Sequence, residues 1–269
     1  ISNLMIQMKN EPLSVDLVRH LVLNSIRSYR TKFFNEFGEL ILCYDDKHYW
    51  RRDLFPYYKS NRKKDRTESN LNWNELFETL NLIRDELKET FPYKVLQVDG
   101  AEADDIIATI VNLVSKTPNL FEKILIMSGD KDFIQLQTHE NVQQYSPTLK
   151  KFINGVDPNT YKIEHIFKGD RGDGIPNILS PDNTFVEGLR QKPLGKNKID
   201  SWKQVGTWPI DDWNEEIKRN YQRNCKLIDL DLIPSHIRDT IYYSWKQESE
   251  TSRSKILPYC MKQRLRELT

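Results

Sequence analysis

Cysteine is scarce in this chain: Cys43, Cys225 and Cys260 are its only three. An odd number at such wide spacing excludes a disulfide framework and a Cys-based zinc site, and it suits reduced thiols in a cytoplasmic setting. No apolar run approaches the ~20 residues a membrane span needs, and no signal-peptide pattern opens the chain. Histidine is almost as sparse, and His20, His48, His139, His165 and His236 show no ligand spacing, so each reads as structural. There is no Gly-rich phosphate loop, no Ser-His-Asp arrangement, no internal repeat and no low-complexity segment. Net charge is also nearly absent, at +1 over 269 residues, so any electrostatic message lies in its distribution. A real core is possible, because 38% of residues are apolar, with six Trp, twelve Tyr and eleven Phe. The length fits one large or two modest domains.

Periodicity divides what is there. Ser14 is a plausible N-cap for a helix to about Tyr29, since Leu17, Val18, Leu21, Val22 and Ile26 recur at helical spacing. Leu40 to Tyr44 reads as a buried strand. Asn72 or Asn74 caps a helix with Trp73, Leu76, Phe77, Leu80, Ile83 and Leu87 on its buried face, stopped at Phe91-Pro92. Val95 to Val98 is a second strand, followed by a helix from near Glu102 that buries Ala103, Ile106, Ile107, Ile110, Val111 and Val114. Lys123 to Met127 is a third strand, leading to a short helix at Phe133. Strands alternating with helices predict an α/β domain with a parallel sheet over residues 1–160. From 161 to 269 strand-like runs vanish, Gly, Pro and Asn cluster between 169 and 197, and segments 213–228 and 236–247 look helical.

Each strand ends in acids: Asp45 and Asp46, then Asp99, Glu102, Asp104 and Asp105, then Asp130 and Asp132. Ligands of open parallel sheets bind outside the carboxyl ends of the strands. Asp170 and Asp173 add carboxylates from the second region. Helix capping explains any one pair. Four acids within seven residues exceed what capping needs, and like charges so close repel without a cation among them. An all-oxygen, anionic site suits Mg²⁺ or Mn²⁺, and so many charges suit two ions.

Residues 49–66 form a basic arm. Arg51, Arg52, Lys59, Arg62, Lys63, Lys64 and Arg66 outnumber Asp53 and Asp65, with Tyr49, Trp50, Phe55, Tyr57 and Tyr58 interleaved. Cations bind phosphates and aromatic faces stack on bases. A solvated loop is the plainer reading of a charge run, but exposed aromatics at this density need a use.

At these residues the chain resembles a known family. Asp45 after a strand, Tyr58-Lys59-x-x-Arg62, Glu102-Ala-Asp104-Asp105, Gly129-Asp130-x-Asp132 and Gly169-Asp170-x-x-Asp173 look like the 5′-nuclease (flap endonuclease) superfamily. Tyr49-Trp-Arg-Arg-Asp53 and Leu227-Ile-Asp-Leu-Asp-Leu-Ile-Pro234 are similar to its phage ribonuclease H branch. The resemblance implies a nuclease domain holding two divalent ions, and a helical region whose helix–three-turn–helix grips duplex DNA. By that likeness Asp45, Glu102, Asp104 and Asp130 serve the first ion, Asp132 and Asp173 the second, with Asp105 and Asp170 supporting. Lys59 and Arg62 would face the scissile phosphate and Tyr58 the terminal bases. Arg51, Arg52, Lys63 and Lys64 would meet phosphates, and Gly172, Gly174 and Ile175 duplex backbone. The implied activity is 5′→3′ exonuclease and flap endonuclease cleavage of RNA–DNA and DNA duplexes, which fits removal of lagging-strand primers in phage replication. Implied partners are duplex DNA with a 5′ flap or nick, an RNA–DNA hybrid, and a single-strand-binding protein or sliding clamp. A monomer in the host cytoplasm would suffice.

Two departures stand out. The family's usual first strand, ending in an Asp, has no counterpart, and Leu4, Met5 and Met8 look like the tail of the helix after it. An apolar strand ending in Asp is therefore expected upstream of Ile1. The family's second, Gly-rich hairpin is replaced by 183–198, with only Gly188 and Gly195. Two other readings are a DNA-binding scaffold with an impaired metal site and a PIN-type ribonuclease, which usually lacks the long helical region.

Overall fold

The computed structural model describes residues 14–67, 71–117, 122–204, 213–247 and 252–265. The expectations placed on Leu4, Met5 and Met8 lie outside them. Helix α1 runs Val15–Phe37, with Ser14 accepting from the Leu17 amide at 3.2 Å. It continues past Tyr29 because Phe33 extends the buried stripe, its ring 4.9 Å from that of Tyr145. Gly38 ends the helix at φ 75°, a left-handed conformation that suits glycine.

Strand β1 is Ile41–Tyr44. The basic arm that follows is not a loop but two short helices, α2 at Trp50–Leu54 and α3 at Asn61–Thr67. Helix α4, Trp73–Thr90, is capped by the Asn72 side chain and halts at Phe91, because the residue before a proline is pushed out of helical backbone. Strand β2, Lys94–Gln97, lies parallel to β1 with Leu42 opposite Val95. Helix α5, Ala103–Lys116, opens with a capping box in which Asp105 accepts from the Glu102 amide at 3.0 Å. Its Ile106, Ala108 and Val111 are almost fully buried. Removing a side chain such as Ile106 costs about 2–5 kcal/mol.

Strand β3, Ile124–Met127, pairs in parallel with β4, Val142–Ser146, and β4 pairs antiparallel with β5, Lys151–Ile153. The sequence signal missed β4 and β5. Val142-Gln-Gln-Tyr-Ser is polar on paper, yet Gln144 is 1% exposed and donates to the Ser128 carbonyl at 3.0 Å. Among the described residues β1 and β3 are not paired. Instead they line a single apolar cleft of about 960 Å³, with Ile107, Ile110 and Val114 of α5 and Phe33 of α1.

The helical region begins with α6, Pro158–Lys168, and continues with α7, Lys196–Gln204, α8, Glu215–Ile228, α9, Ser235–Lys246, and α10, Ile256–Lys262. It shares its cores with the α/β part. Leu230, Ile233, Ile237 and Ile241 join the cluster around α5, and Cys260 and Leu265 join Val18, Leu76, Ile83 and Leu87. A third cluster ties Phe55 and Tyr58 of the arm to Phe167, Ile175, Trp213 and Leu227. No helix among the described residues is long and apolar enough to cross a membrane.

Candidate metal centre

Three strand ends and one turn deliver the acids. Asp45, just past β1, accepts from the Ala103 amide at 2.8 Å, tying β1 to the start of α5. Glu102 caps α5, and Asp104 and Asp105 fill its first turn, where the helix dipole favours negative charge. Asp130 caps the 3₁₀ helix Lys131–Thr138 after β3, accepting from the Asp132 amide at 3.0 Å. Asp170 follows α6 and accepts from the Asp173 amide at 3.0 Å.

One convergence includes a histidine that spacing along the chain did not single out. One ligand atom each of Asp132, His165 and Asp170 lie within 4.8 Å of one another. His165 Nε2 is 3.2 Å from Asp132 Oδ1 and 3.5 Å from Asp170 Oδ2. That nitrogen is shut off from solvent, yet it aligns a hydrogen bond to neither oxygen. The ring stacks on Tyr161, centroids 5.7 Å apart and planes 12° from parallel. Burial works against a charged imidazole, but the flanking Asp132 and Asp170 hold its pKa up at about 9, and His165 in turn keeps Asp170 below the usual carboxylate range. Spacing along the chain could not show this trio, whose members come from the 3₁₀ helix, α6 and the turn after it.

Nearby acids are short of positive charge. Desolvation, then Asp132, Asp173 and Asp170, push the Asp130 carboxyl up. Asp104 keeps part of its surface at the opening, but burial, reinforced by Glu102 and Asp130 against the pull of Lys59 and Arg51, carries its pKa up to about 8. Carboxyls pushed up by burial and by one another mark a place where a divalent cation relieves repulsion. Oxygen donors with one imidazole fit such an ion.

Glu102 and Asp173 are differently placed, because the arm's cations already hold them. Glu102 is 1% exposed and accepts from Lys59 Nζ at 2.6 Å, Arg51 Nη1 at 2.9 Å and the Tyr58 hydroxyl at 3.1 Å. Asp173 accepts from Arg62 at 2.5 Å and the Tyr58 hydroxyl at 3.0 Å. Tyr58 is therefore buried against acids rather than open to bases. Asp105 is fully buried, with Trp50 Nε1 donating to it at 3.0 Å and the Arg51 guanidinium in ion-pair contact at 2.8 Å.

The expected nucleic-acid contacts separate into two groups. Arg51, expected at phosphates, is 2% exposed and spends its guanidinium on Glu102, Asp105 and the Leu227 carbonyl, so it braces the fold. Arg52 is exposed, its guanidinium 4.9 Å from the Tyr49 ring centre, and is free to meet phosphate. The side chains of Lys63 and Lys64 lie outside those described. Gly172 is exposed, whereas Gly174 and Ile175, expected on duplex backbone, are buried. The reason is packing: Gly174 sits at φ 74°, and a Cβ there would lie 2.9 Å from the Tyr57 carbonyl oxygen. The arm's aromatics likewise serve the core, with Phe55 4% exposed.

Known proteins resemble this chain. Residues 13–166 match the family described as 5′-3′ exonuclease, N-terminal resolvase-like domain, and residues 157–269 match T4 RNase H, C terminal. The ribonuclease H of enterobacteria phage T4 is 35% identical over 96% of this chain and 87% of its own length. Among solved structures, the zinc-bound 5′-exonuclease of T5 aligns with a TM-score of 0.66 at 20% identity, covering 91% of this chain and 94% of that one. The bacteriophage T5 flap endonuclease, solved as a pseudo-enzyme–product complex with DNA and metal ions, gives 0.63 at 21% identity over 85% and 91%. At those identities the likeness to the T5 proteins is one of fold. An acid-edged α/β unit fused to this helical region defines a structure-specific 5′ nuclease. The chain belongs to the T4 RNase H family of 5′-3′ exonucleases.

Proposed function

We propose that the chain cuts duplex DNA bearing a 5′ flap or nick, and RNA–DNA hybrids, with two Mg²⁺ ions, and so removes lagging-strand primers during phage replication. The observation that supports this best is the meeting of the acids with the arm: Glu102 and Asp173 are each bonded to Tyr58 and an arm cation. Asp104 and Asp130 with Asp45 offer oxygen for one ion, and Asp132 with Asp170 and Asp173 for the other, with Glu102 and Asp105 behind them. Bound ions supply activation of the attacking water and neutralise charge developing on the phosphate.

The protein's own groups do the positioning. Arg62 is exposed at the edge of the acid cluster and Lys59 is buried behind it on Glu102, and a scissile phosphate would draw both cations towards it. Burial opposes the charge on each, but Asp173 and Glu102 keep both cations protonated well above neutral pH. They then meet the phosphate as full charges aimed at the transition state. Arg52 and the exposed Gly172 edge hold duplex backbone without reading bases. A single-strand-binding protein or sliding clamp fits as a replication partner, and a monomer suffices for cleavage.

A 5′-labelled flap duplex and an RNA–DNA hybrid, each incubated with Mg²⁺, with Mn²⁺ and with chelator, test the reading. Short products bearing a 5′-phosphate in Mg²⁺ and none with chelator are expected. Binding without cleavage in either metal would overturn it and leave a DNA-binding scaffold.

A further inference from the structure

We propose that His165 is a direct ligand of the divalent ion held by Asp132 and Asp170, and that its nitrogen shifts that site's preference from Mg²⁺ towards Mn²⁺. The inference rests on the proposed function for the presence of an ion there, and it adds a residue and a selectivity.

The spacing is that of a coordination shell. Ligands at about 2.1 Å from an octahedral ion stand about 3 Å apart at neighbouring positions and about 4 Å apart across it. The Nε2 distances of 3.2 and 3.5 Å to the two carboxylates, and the 4.8 Å bound on the whole trio, approach those edges. A small contraction closes the difference.

The obvious alternative is an ordinary buried ion pair. An imidazole placed for that purpose aims its N–H along an acceptor lone pair. Here Nε2 has lost contact with water and is shared between two carboxylates without a well-aligned hydrogen bond to either. It stands 3.2 and 3.5 Å from one oxygen of each, close enough that a cation shared by all three would replace the proton. Tyr161, stacked face to face one turn earlier on α6, fixes the plane of the ring. Such supporting contacts orient metal-binding histidines.

The choice of atom carries the selectivity. Mg²⁺ takes oxygen and parts with water reluctantly, whereas Mn²⁺, the first of the Irving–Williams series, tolerates a nitrogen ligand better and the later ions of that series take it readily. A site made of Asp132 and Asp170 alone would be a hard-oxygen site. With His165 it becomes mixed, and the ions that gain are those for which nitrogen is a good donor.

The test uses the whole chain without nucleic acid, loaded with substoichiometric Mn²⁺, and compares wild type, His165→Gln and the remote His139→Gln. Pulsed paramagnetic resonance should show nitrogen coupling of an imidazole in wild type and His139→Gln, and none in His165→Gln. Mn²⁺ affinity at that site should fall about 10–100-fold in His165→Gln, the scale at which metal-site partners are felt, while Mg²⁺ affinity changes less. Melting curves confirm that the variant is folded, and His165→Asn gives a second variant if it is not. Coupling that is absent in wild type or persists in His165→Gln would overturn the assignment. So would tighter Mn²⁺ binding by His165→Gln, the result expected if the imidazolium merely fills the site. Failure of wild type to bind any divalent ion would sink the metal-dependent function as well, whereas ions bound without nitrogen coupling would sink only this proposal.

Discussion

Lys59 reaches Glu102 at 2.6 Å from a backbone held at φ 55°, a left-handed conformation that long side chains seldom adopt. The strain is secured by the second region, because the Lys59 amide donates to the Asp173 carbonyl at 2.8 Å and Gly174 packs on the Tyr57 carbonyl. The arm's turn and the Gly169–Ile175 turn thus form one unit, and the cations are placed by it rather than by side-chain reach.

Lys59→Ala and Arg62→Ala should therefore each lower single-turnover cleavage by at least ~10²-fold, the loss expected for a charge aimed at the transition state. Duplex affinity, measured by anisotropy, should fall far less. Equal losses in both would reduce the pair to a simple phosphate clamp.

Asp130→Asn or Asp132→Asn should abolish metal-dependent cleavage, and Asp130→Asn, whose carboxyl is pushed up by burial and its acidic neighbours, should leave the apo protein as stable or more so. Asp104→Asn gives the clearer pH signature. Its folded pKa of about 8 lies above the ~3.9 of an unfolded Asp. At pH below about 4 the carboxyl is protonated in both states and costs nothing; as pH rises towards 8 the unfolded state ionises first and folding loses stability. Melting with chelator should show Asp104→Asn above wild type at pH 7 and level with it near pH 4. A variant that melts lower at pH 7 would count against repulsion at the site.

Arg51 and Arg52 are neighbours in sequence with opposite fates. Arg51→Ala leaves two buried carboxylates short of a partner and should cost about 3–5 kcal/mol in denaturant unfolding. Arg52→Ala should leave stability nearly unchanged and reduce the salt slope of duplex binding by about one. A stable Arg51→Ala variant with impaired binding would restore the phosphate-contact role to that residue.

Arg19 and Glu86 form a second test of pH dependence, away from the acids of the site. Arg19 donates to both Glu86 oxygens at 2.8 and 2.9 Å, and the Tyr259 hydroxyl adds a third bond at 2.6 Å. Burial raises the carboxyl's cost, but these donors hold Glu86 below the usual range. Its contribution is then present above the unfolded value of ~4.3 and lost as pH falls through the lower folded one. Glu86→Gln should destabilise by about 1.5–3 kcal/mol at pH 7, the worth of a hydrogen bond to a charged group, with the gap to wild type closing as pH drops below 4. A gap that does not change with pH would assign the effect to packing.

Strands leading into Asp45, Asp99 and Asp130 could be read from the chain because an apolar run followed by acids is a local signal. The arm's fate could not. Arg51 and Arg52 carry the same charge, and only the position of Leu227, far along the chain, decides which is enclosed. Gln144 hid β4 because its partners, the Ser128 and Asp130 carbonyls, belong to another strand's end. His165 had no spacing to betray it, since its carboxylates reach it through tertiary contact.

The apolar cleft between β1 and β3 has a mechanical consequence. Among the described residues no ladder of backbone bonds joins the strand that ends at Asp45 to the strand that ends at Asp130. Their spacing is set by Ile107, Ile110 and Val114 of α5 lying along the seam. The helix face along that seam therefore ties the two strand ends together, and shortening Ile110 or Val114 there would be felt at the carboxylates beyond them.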